Sequence, residues 1–154
     1  QQQVLQACLQ AIEMTGGRAV LSSEDLSESQ EDLPRSVLSI GEVPHGWLFP
    51  RMAAIVHHGG AGTTGNALRA GVPSVVVPFT ADQAFWGRRV SLLGVGPPPI
   101  RVGELRADRL AQALRQALTD PGMRARAADL GERIRVERGV EQAVAFVREI
   151  VGPP

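Results

Sequence analysis

The feature that most constrains the fold of this chain is an apolar strand that runs into a glycine-rich turn and then into a helix. Residues 53–56 (AAIV) are continuously apolar, and the turn HHGGAGTT (57–64) follows them directly. This pattern predicts a buried strand and then a helix to about residue 70, where GVP (71–73) ends it. The apolar run SVVV (74–77) predicts a second buried strand.

Helices and short apolar strands alternate along the rest of the chain. Apolar spacing and turn signals predict helices at 1–14, 47–52 and 82–93, strands at 18–21 and 37–40, a surface loop at 22–36, a helix start at 120–121 and a final amphipathic helix face at 140–150. This alternation predicts an α/β fold, with a Rossmann-like parallel sheet, helices on both of its faces and a helical C-terminus. Because a helix at residue 1 normally returns from a strand, we also expect a leading strand, and a preceding domain, upstream.

Composition excludes several functional classes. The chain has 154 residues, enough for one domain, and its formal net charge is zero, which disfavours nucleic acid as a partner. The single cysteine, Cys8, excludes an internal disulfide and a cysteine-based zinc site. All 16 basic residues are arginine, so neither a lysine Schiff base nor a P-loop lysine is available. We find no transmembrane segment and no leader, and expect a cytoplasmic protein.

The glycine-rich turn has the chemistry of an anion site. Glycines let the backbone bend tightly and approach a ligand, and the helix that follows offers unpaired N–H groups and the positive end of its dipole. A histidine at the carboxyl end of the strand and two threonine hydroxyls add hydrogen-bonding groups. The residues concerned are His58, Gly59, Gly60, Gly62, Thr63 and Thr64. They predict a phosphate site, with a tight turn before a capped helix as the alternative.

Asp82 and Gln83 follow the next predicted strand. Because the carboxyl ends of adjacent parallel strands lie at one edge of a sheet, we expect this pair beside the glycine-rich turn. A carboxylate and an amide together offer acceptors and a donor, which suit neighbouring sugar hydroxyls. The alternative is that Asp82 only caps the helix that follows it.

Two stretches of the chain, VPHGWLFP (43–50) and the segment from HHGGAGTT to GVGPPPI (57–100), resemble the donor-binding half of nucleotide-sugar-dependent glycosyltransferases. The glycine turn, the GVP turn and the Asp-Gln pair stand in that family's order and spacing. The resemblance is to sterol 3β-glucosyltransferases and to bacterial antibiotic glycosyltransferases of the macrolide type. It implies that residues 1–154 are a donor-binding domain, the carboxy-terminal half of a two-domain GT-B fold without its first strand and its amino-terminal acceptor domain.

The resemblance implies roles for the residues that match the family's motifs. His58 matches the histidine that contacts the donor diphosphate, and Asp82 and Gln83 match the pair that bonds hydroxyls of the donor sugar. The residues that match the phosphate-cradling turn are Gly60, Gly62 and Thr63, with Thr64 next to them in the same helical turn.

This sequence departs from the related plant enzymes at the residues that would bind the nucleoside of the donor. Val43 and His45 fall where the family holds the nucleobase and ribose, partly through backbone groups. Asn66 stands where the plant enzymes carry a ribose-binding glutamate. Glu42 stands where they stack uracil on a tryptophan, and Trp47 is an alternative stacking partner here.

The resemblance implies an inverting glycosyltransferase. We therefore expect the donor-binding half of an enzyme that moves a hexose from UDP-glucose or a TDP-sugar to a hydroxyl of a lipophilic acceptor, such as a sterol or natural product. The family's catalytic base lies in the amino-terminal acceptor-binding domain, so we expect no catalytic residue in this chain and no requirement for a metal or cofactor. The alternatives are a GT-B-fold sugar-nucleotide epimerase, a lipid-intermediate transferase and a non-catalytic nucleotide-sugar-binding module.

Overall fold

Helices and parallel strands alternate in the part of the chain that the computed structural model describes, residues 2–22 and 33–152. The elements are α1 (Gln2–Thr15), β1 (Ala19–Ser22), β2 (Val37–Ile40), α2 (His45–Leu48), β3 (Ile55–His57), α3 (Ala61–Ala70), β4 (Ser74–Val76), α4 (Ala81–Leu92), α5 (Ala107–Thr119), α6 (Pro121–Val136) and α7 (Gly139–Val151). Most of the predicted surface loop at 22–36 lies outside the described residues. None of the described helices has the length and hydropathy needed to cross a membrane.

The strands form two parallel ladders, which confirms the predicted parallel α/β class. β1 pairs with β2 in the register Ala19↔Val37, and β3 pairs with β4 in the register Ile55↔Ser74. Within the described residues, no strand pairing joins the two ladders.

Strand β4 is covered by helices on both of its faces, as the sequence predicted. Successive strand side chains point to opposite faces of a sheet, and Val75 and Val76 accordingly enter different clusters of the core. Val75 packs in one cluster with Leu110 of α5. Val76 packs in another with Val90 of α4 and Ala127 of α6. The continuous apolar run in this strand therefore reflects burial on two sides.

Two predicted boundaries were wrong in ways that matter for the site. Strand β3 begins two residues later than predicted and includes His57. Helix α4 begins one residue before Asp82, and its N-cap is Thr80, which forms a capping box with Gln83. Asp82 is therefore not the helix cap. The predicted start of α6 was right, because the Asp120 side chain accepts a hydrogen bond of 2.9 Å from the Met123 N–H.

The predicted C-terminal helix is present as α7, but its apolar side chains lie on the surface of the described structure. Helix α7 follows α6 after Arg138, whose φ of 47° is in the left-handed region. The exposed apolar residues are Val140, Val144, Phe146, Val147, Ile150 and Val151. The amphipathic pattern thus predicted the helix correctly, but no other described element covers its apolar face.

Candidate functional site

The N-terminus of α3 is open to an anion. Its N-cap is Gly60, an extended residue with φ −60° and ψ 144°, and no side chain in the described part of the chain caps it. The first N–H groups of a helix have no partner within the helix, and the helix dipole places partial positive charge at the same end. Free N–H groups and partial positive charge therefore meet at the glycine-rich turn, as binding of an anion requires.

Gly59 joins this turn to α4. Its φ of +91° is one that L side chains rarely adopt. A Cβ atom built at Gly59 would lie 2.7 Å from Cγ1 of Val76 and 2.9 Å from the backbone oxygen of Gln83. The turn thus runs against the backbone of the first turn of α4. The two predicted groups of residues, the glycine turn and the Asp82–Gln83 pair, are brought together at this contact.

His58 lies at the surface beside the helix terminus. Its ring is so close to the backbone of the turn that a Cβ built at Gly60 would be 2.5 Å from Nε2 of His58. The side chain is exposed. An exposed imidazole over the N-cap of α3 is available as a hydrogen-bond donor to an anion bound there.

His57, the neighbouring residue, is in a different environment. Its side chain is only 8% exposed, and Nδ1 accepts a hydrogen bond of 3.1 Å from the Gly59 N–H. Burial, with smaller effects from His58 and His45, lowers the pKa of His57 to about 4. His57 is therefore neutral at physiological pH and carries its proton on Nε2, an atom with no hydrogen-bond partner among the described residues.

The two threonines of the turn also differ. Thr64 is 1% exposed, and its hydroxyl has no partner among the residues that the structure describes. Thr63 is half-buried. The Thr64 hydroxyl therefore lies beneath the turn, and Thr63 is the threonine with access to the surface of the site.

Asp82 and Gln83 each have one oxygen occupied within the protein. Gln83 Oε1 accepts hydrogen bonds from the backbone N–H groups of Phe79 (2.8 Å) and Thr80 (3.2 Å). Oδ1 of the exposed Asp82 accepts from the Thr80 hydroxyl at 3.0 Å. A ligand would therefore meet the amide N–H₂ of Gln83 and the second carboxylate oxygen of Asp82, that is, one donor group and one acceptor.

The residues predicted at the nucleoside end lie on two elements that flank a cleft. The exposed His45 stacks on Phe49 with ring centroids 4.4 Å apart, and the partly buried Val43 packs against the core. Asn66, also exposed, donates from Nδ2 to the Gly62 carbonyl at 2.9 Å, which leaves its Oδ1 as an acceptor. Asn66 and Gly46, the residue after His45, both line a cleft of about 430 Å³.

Sequence reasoning missed two arginines that line this cleft, Arg69 and Arg135. Each arginine lies in the last turn of its helix and donates to a backbone carbonyl of the other helix. Arg135 donates to the Arg69 carbonyl at 2.6 Å, and Arg69 donates to the Ile134 carbonyl at 3.5 Å. These bonds satisfy carbonyls at two helix ends and fasten α6 to α3. Local sequence carries no signal for a pair 66 residues apart.

We find no group of three or more His, Cys, Asp or Glu side chains that could hold a metal ion in residues 2–22 and 33–152.

The parallel α/β fold and the glycine turn after β3 are those of the C-terminal domain of a GT-B glycosyltransferase. A family model described as "Erythromycin biosynthesis protein CIII-like, C-terminal domain" matches residues 7–144. The chain belongs to this family.

Named relatives agree with that assignment. O-mycaminosyltylonolide 6-deoxyallosyltransferase of Streptomyces fradiae is 45% identical over 117 residues, which are 76% of this chain and 28% of that protein. Sterol 3-beta-glucosyltransferase of Saccharomyces cerevisiae is 42% identical over 144 residues, which are 94% of this chain and 12% of that protein. The crystal structure of glycosyltransferase VinC in complex with dTDP matches with a TM-score of 0.77 and 30% identity, over 93% of this chain and 37% of VinC. The chain spans less than a third of either relative's sequence.

Proposed function

We propose that this chain is the donor-binding half of an inverting glycosyltransferase, and that the N-terminus of α3 holds the diphosphate of a nucleotide-sugar donor. The observation that carries the proposal is the contact at Gly59 between the glycine turn and the backbone of Gln83. It sets a site for negative charge directly beside a carboxylate and an amide, as a sugar diphosphate requires. The complex of the related VinC with dTDP supports a nucleotide of this class.

The proposed reaction is displacement at the anomeric carbon of the sugar. The acceptor oxygen forms a bond to that carbon while the bond from carbon to the β-phosphate oxygen breaks, and the bonding electrons leave with the nucleoside diphosphate. The acceptor proton passes to a base, which we assign to a part of the enzyme outside this chain. The N–H groups of α3 and the His58 side chain stabilise the negative charge that develops on the leaving diphosphate. We propose no metal or cofactor in this step.

We expect a His58→Ala variant to bind UDP or dTDP about 10- to 150-fold more weakly, which is the loss of a charge-assisted hydrogen bond of roughly 1.5–3 kcal/mol. Because His58 is exposed, the melting temperature should change little. Calorimetric titration and thermal unfolding of the same variant measure both effects. A variant that unfolds at lower temperature but binds as tightly as the wild type would show that His58 serves the fold instead.

At the sugar end, we propose that Asp82 and Gln83 bind hydroxyl groups of the donor sugar. Their free groups, one carboxylate oxygen and one amide N–H₂, are an acceptor and a donor. Since Thr80, and not Asp82, caps α4, removal of the Asp82 carboxylate leaves the helix cap in place. A weaker affinity for the donor in an Asp82 variant would therefore not come from the loss of the helix cap.

An Asp82→Ala variant should bind an intact donor such as UDP-glucose about 1–3 kcal/mol more weakly, and bare UDP almost as well as the wild type does. Thr80→Ala is the comparison variant, because it removes the helix cap, worth about 1 kcal/mol of folding stability, and the hydrogen bond to Asp82 Oδ1, but keeps the Asp82 carboxylate itself. Titrations with UDP and with UDP-glucose on both variants give the comparison. Equal losses for the two ligands in Asp82→Ala would remove Asp82 from the sugar site.

We propose that the nucleoside lies toward the cleft of about 430 Å³, with backbone groups near Val43, the His45 side chain and the Asn66 Oδ1 as its partners. The cleft has the size of a small-molecule site. The names of the relatives denote transfer of glucose to a sterol in one and of a 6-deoxyallosyl group to O-mycaminosyltylonolide in the other. We accordingly propose a hydroxyl of a lipophilic molecule as the acceptor, held by a second, amino-terminal domain.

Calorimetric titration of the full chain with UDP, dTDP, UDP-glucose and free glucose tests the proposed function. We expect binding of at least one nucleoside diphosphate and none of glucose, because the diphosphate provides most of the affinity. Equal binding of uridine and UDP would contradict a diphosphate site at the α3 terminus.

We further propose that a parallel strand joins the two ladders of the sheet. In the usual Rossmann order 3-2-1-4-5, strand 1 lies between strands 2 and 4. Strands β2, β1, β3 and β4 fit positions 3, 2, 4 and 5 of that order, and the edges of β1 and β3 on either side of position 1 pair with no other strand among the described residues. A strand that leads into α1 would complete this arrangement by a right-handed crossover.

A further inference from the structure

We infer that His57 is a positioning residue, which holds the glycine turn in its binding shape by accepting the Gly59 N–H at Nδ1. The effect of His57 on ligand binding rests on the proposed function, whereas its effect on the turn does not. The two adjacent histidines then have separate roles. His58 contacts the anion, and His57 fixes the backbone to which the anion binds.

The hydrogen bond acts at the most constrained point of the turn. Gly59 has a φ of +91° and passes so close to Val76 and the Gln83 carbonyl that no side chain fits there. Because glycine lacks a side chain, Gly59 can adopt many other backbone conformations. The bond of 3.1 Å from Gly59 N–H to Nδ1 selects one of them, and it is buried, where loss of a partner is costly.

The strand and the surrounding core also fix the position of the His57 ring. It lies on the last residue of β3, paired in register with Val76, and is 8% exposed. Its Nδ1 is the acceptor only when that nitrogen carries no proton, so the hydrogen bond and the Nε2–H tautomer require each other. A ring that donated to a phosphate from Nδ1 would have to release Gly59.

A matched pair of variants separates the hydrogen bond from the volume of the side chain. His57→Asn keeps a buried acceptor close to the position of Nδ1, and His57→Leu has nearly the shape of asparagine but no acceptor. We expect His57→Asn to bind UDP or dTDP within about 3-fold of the wild type and His57→Leu to lose about 10-fold or more. We expect the melting temperature of His57→Leu to be close to that of His57→Asn, since leucine is well suited to a buried site.

Nitrogen-15 NMR of the full chain tests the bond without any ligand. At pH 7 the wild type should show His57 protonated on Nε2 and not on Nδ1, with the Gly59 amide protected from hydrogen exchange. That amide should remain protected in His57→Asn and exchange faster in His57→Leu. If His57→Leu does not fold, the tautomer of the wild type and the affinity of His57→Asn still decide the question.

Protonation of His57 at Nδ1 in the folded wild type would overturn the inference, as would equal Gly59 exchange in the two variants. Equal nucleotide affinity of His57→Asn and His57→Leu would overturn the role in binding. A wild-type chain that binds neither UDP nor dTDP would instead refute the proposed function, and the exchange comparison would still decide whether His57 holds the turn.

Discussion

A Gly62→Val substitution is expected to abolish binding of UDP and dTDP, with a loss of affinity of at least about 1,000-fold, because the diphosphate supplies most of the affinity and loses its place. Gly62 is the second residue of α3. A Cβ built there meets no atom within 4 Å among the described residues outside its own turn of the helix, so the site has room for a side chain. The valine side chain occupies the space over the first N–H groups of the helix, where the phosphates would lie. Calorimetric titration with each nucleotide measures the loss.

Gly65→Val is the matched control for this substitution. Gly65 is in the same helix and likewise has no atom of the described residues within 4 Å of a built Cβ, but it lies three residues further from the helix terminus. Both substitutions replace glycine with a residue of slightly higher helix propensity, so neither is expected to weaken α3 through the backbone. We expect Gly65→Val to bind within a few-fold of the wild type. Unaltered binding by Gly62→Val would place the diphosphate elsewhere.

The second large effect is expected on stability in acid. The pKa of His57 is lowered from 6.5 to about 4 in the folded chain by burial and, to a smaller degree, by His58 and His45. Between these two values the unfolded chain binds a proton that the folded chain does not. The contribution of His57 to the free energy of unfolding is therefore complete above pH 6.5 and falls as the pH drops from 6.5 to 4. The total loss from this group is about 3 kcal/mol.

Urea unfolding at a series of pH values between 4 and 8 measures this loss, with His57→Leu as the control. Carboxylates also titrate toward the lower end of this range, so the relevant quantity is the difference in unfolding free energy between wild type and variant at each pH. We expect that difference to change by about 3 kcal/mol over the range, in favour of the variant at low pH. A difference that does not vary with pH would show that folded His57 takes up its proton at an ordinary pKa.

The elements that carry the proposed site could be predicted because their signals are local. The apolar runs before and after the glycine turn predict two buried strands, and the turn itself predicts the start of α3. The Asp120–Pro121 helix start was also predicted correctly, since a cap and its partner are only three residues apart. Parallel pairing followed from the alternation of these strands with helices, because strands that are buried on both faces lack a polar side.

The residue that caps α4 was harder to predict, because several neighbouring side chains can form this hydrogen bond. Thr80, Asp82 and Gln83 all have side chains that can cap a helix. From the sequence, only Asp82 was considered as the cap, as the alternative to a role in sugar binding. The structure gives the cap to Thr80 and the reciprocal bond to Gln83, which leaves Asp82 with a free carboxylate oxygen.

The amino-acid sequence by itself determined the class of fold and the position of the glycine turn at the start of α3. Only the tertiary structure decided that His57 is buried at the end of β3 and that His58 is exposed, because burial depends on what packs against each side chain. It also decided the bonds between Arg69 and the end of α6, and the exposure of the α7 apolar face. These depend on contacts between residues far apart in the chain, whereas periodicity and capping signals extend over a few residues at a time.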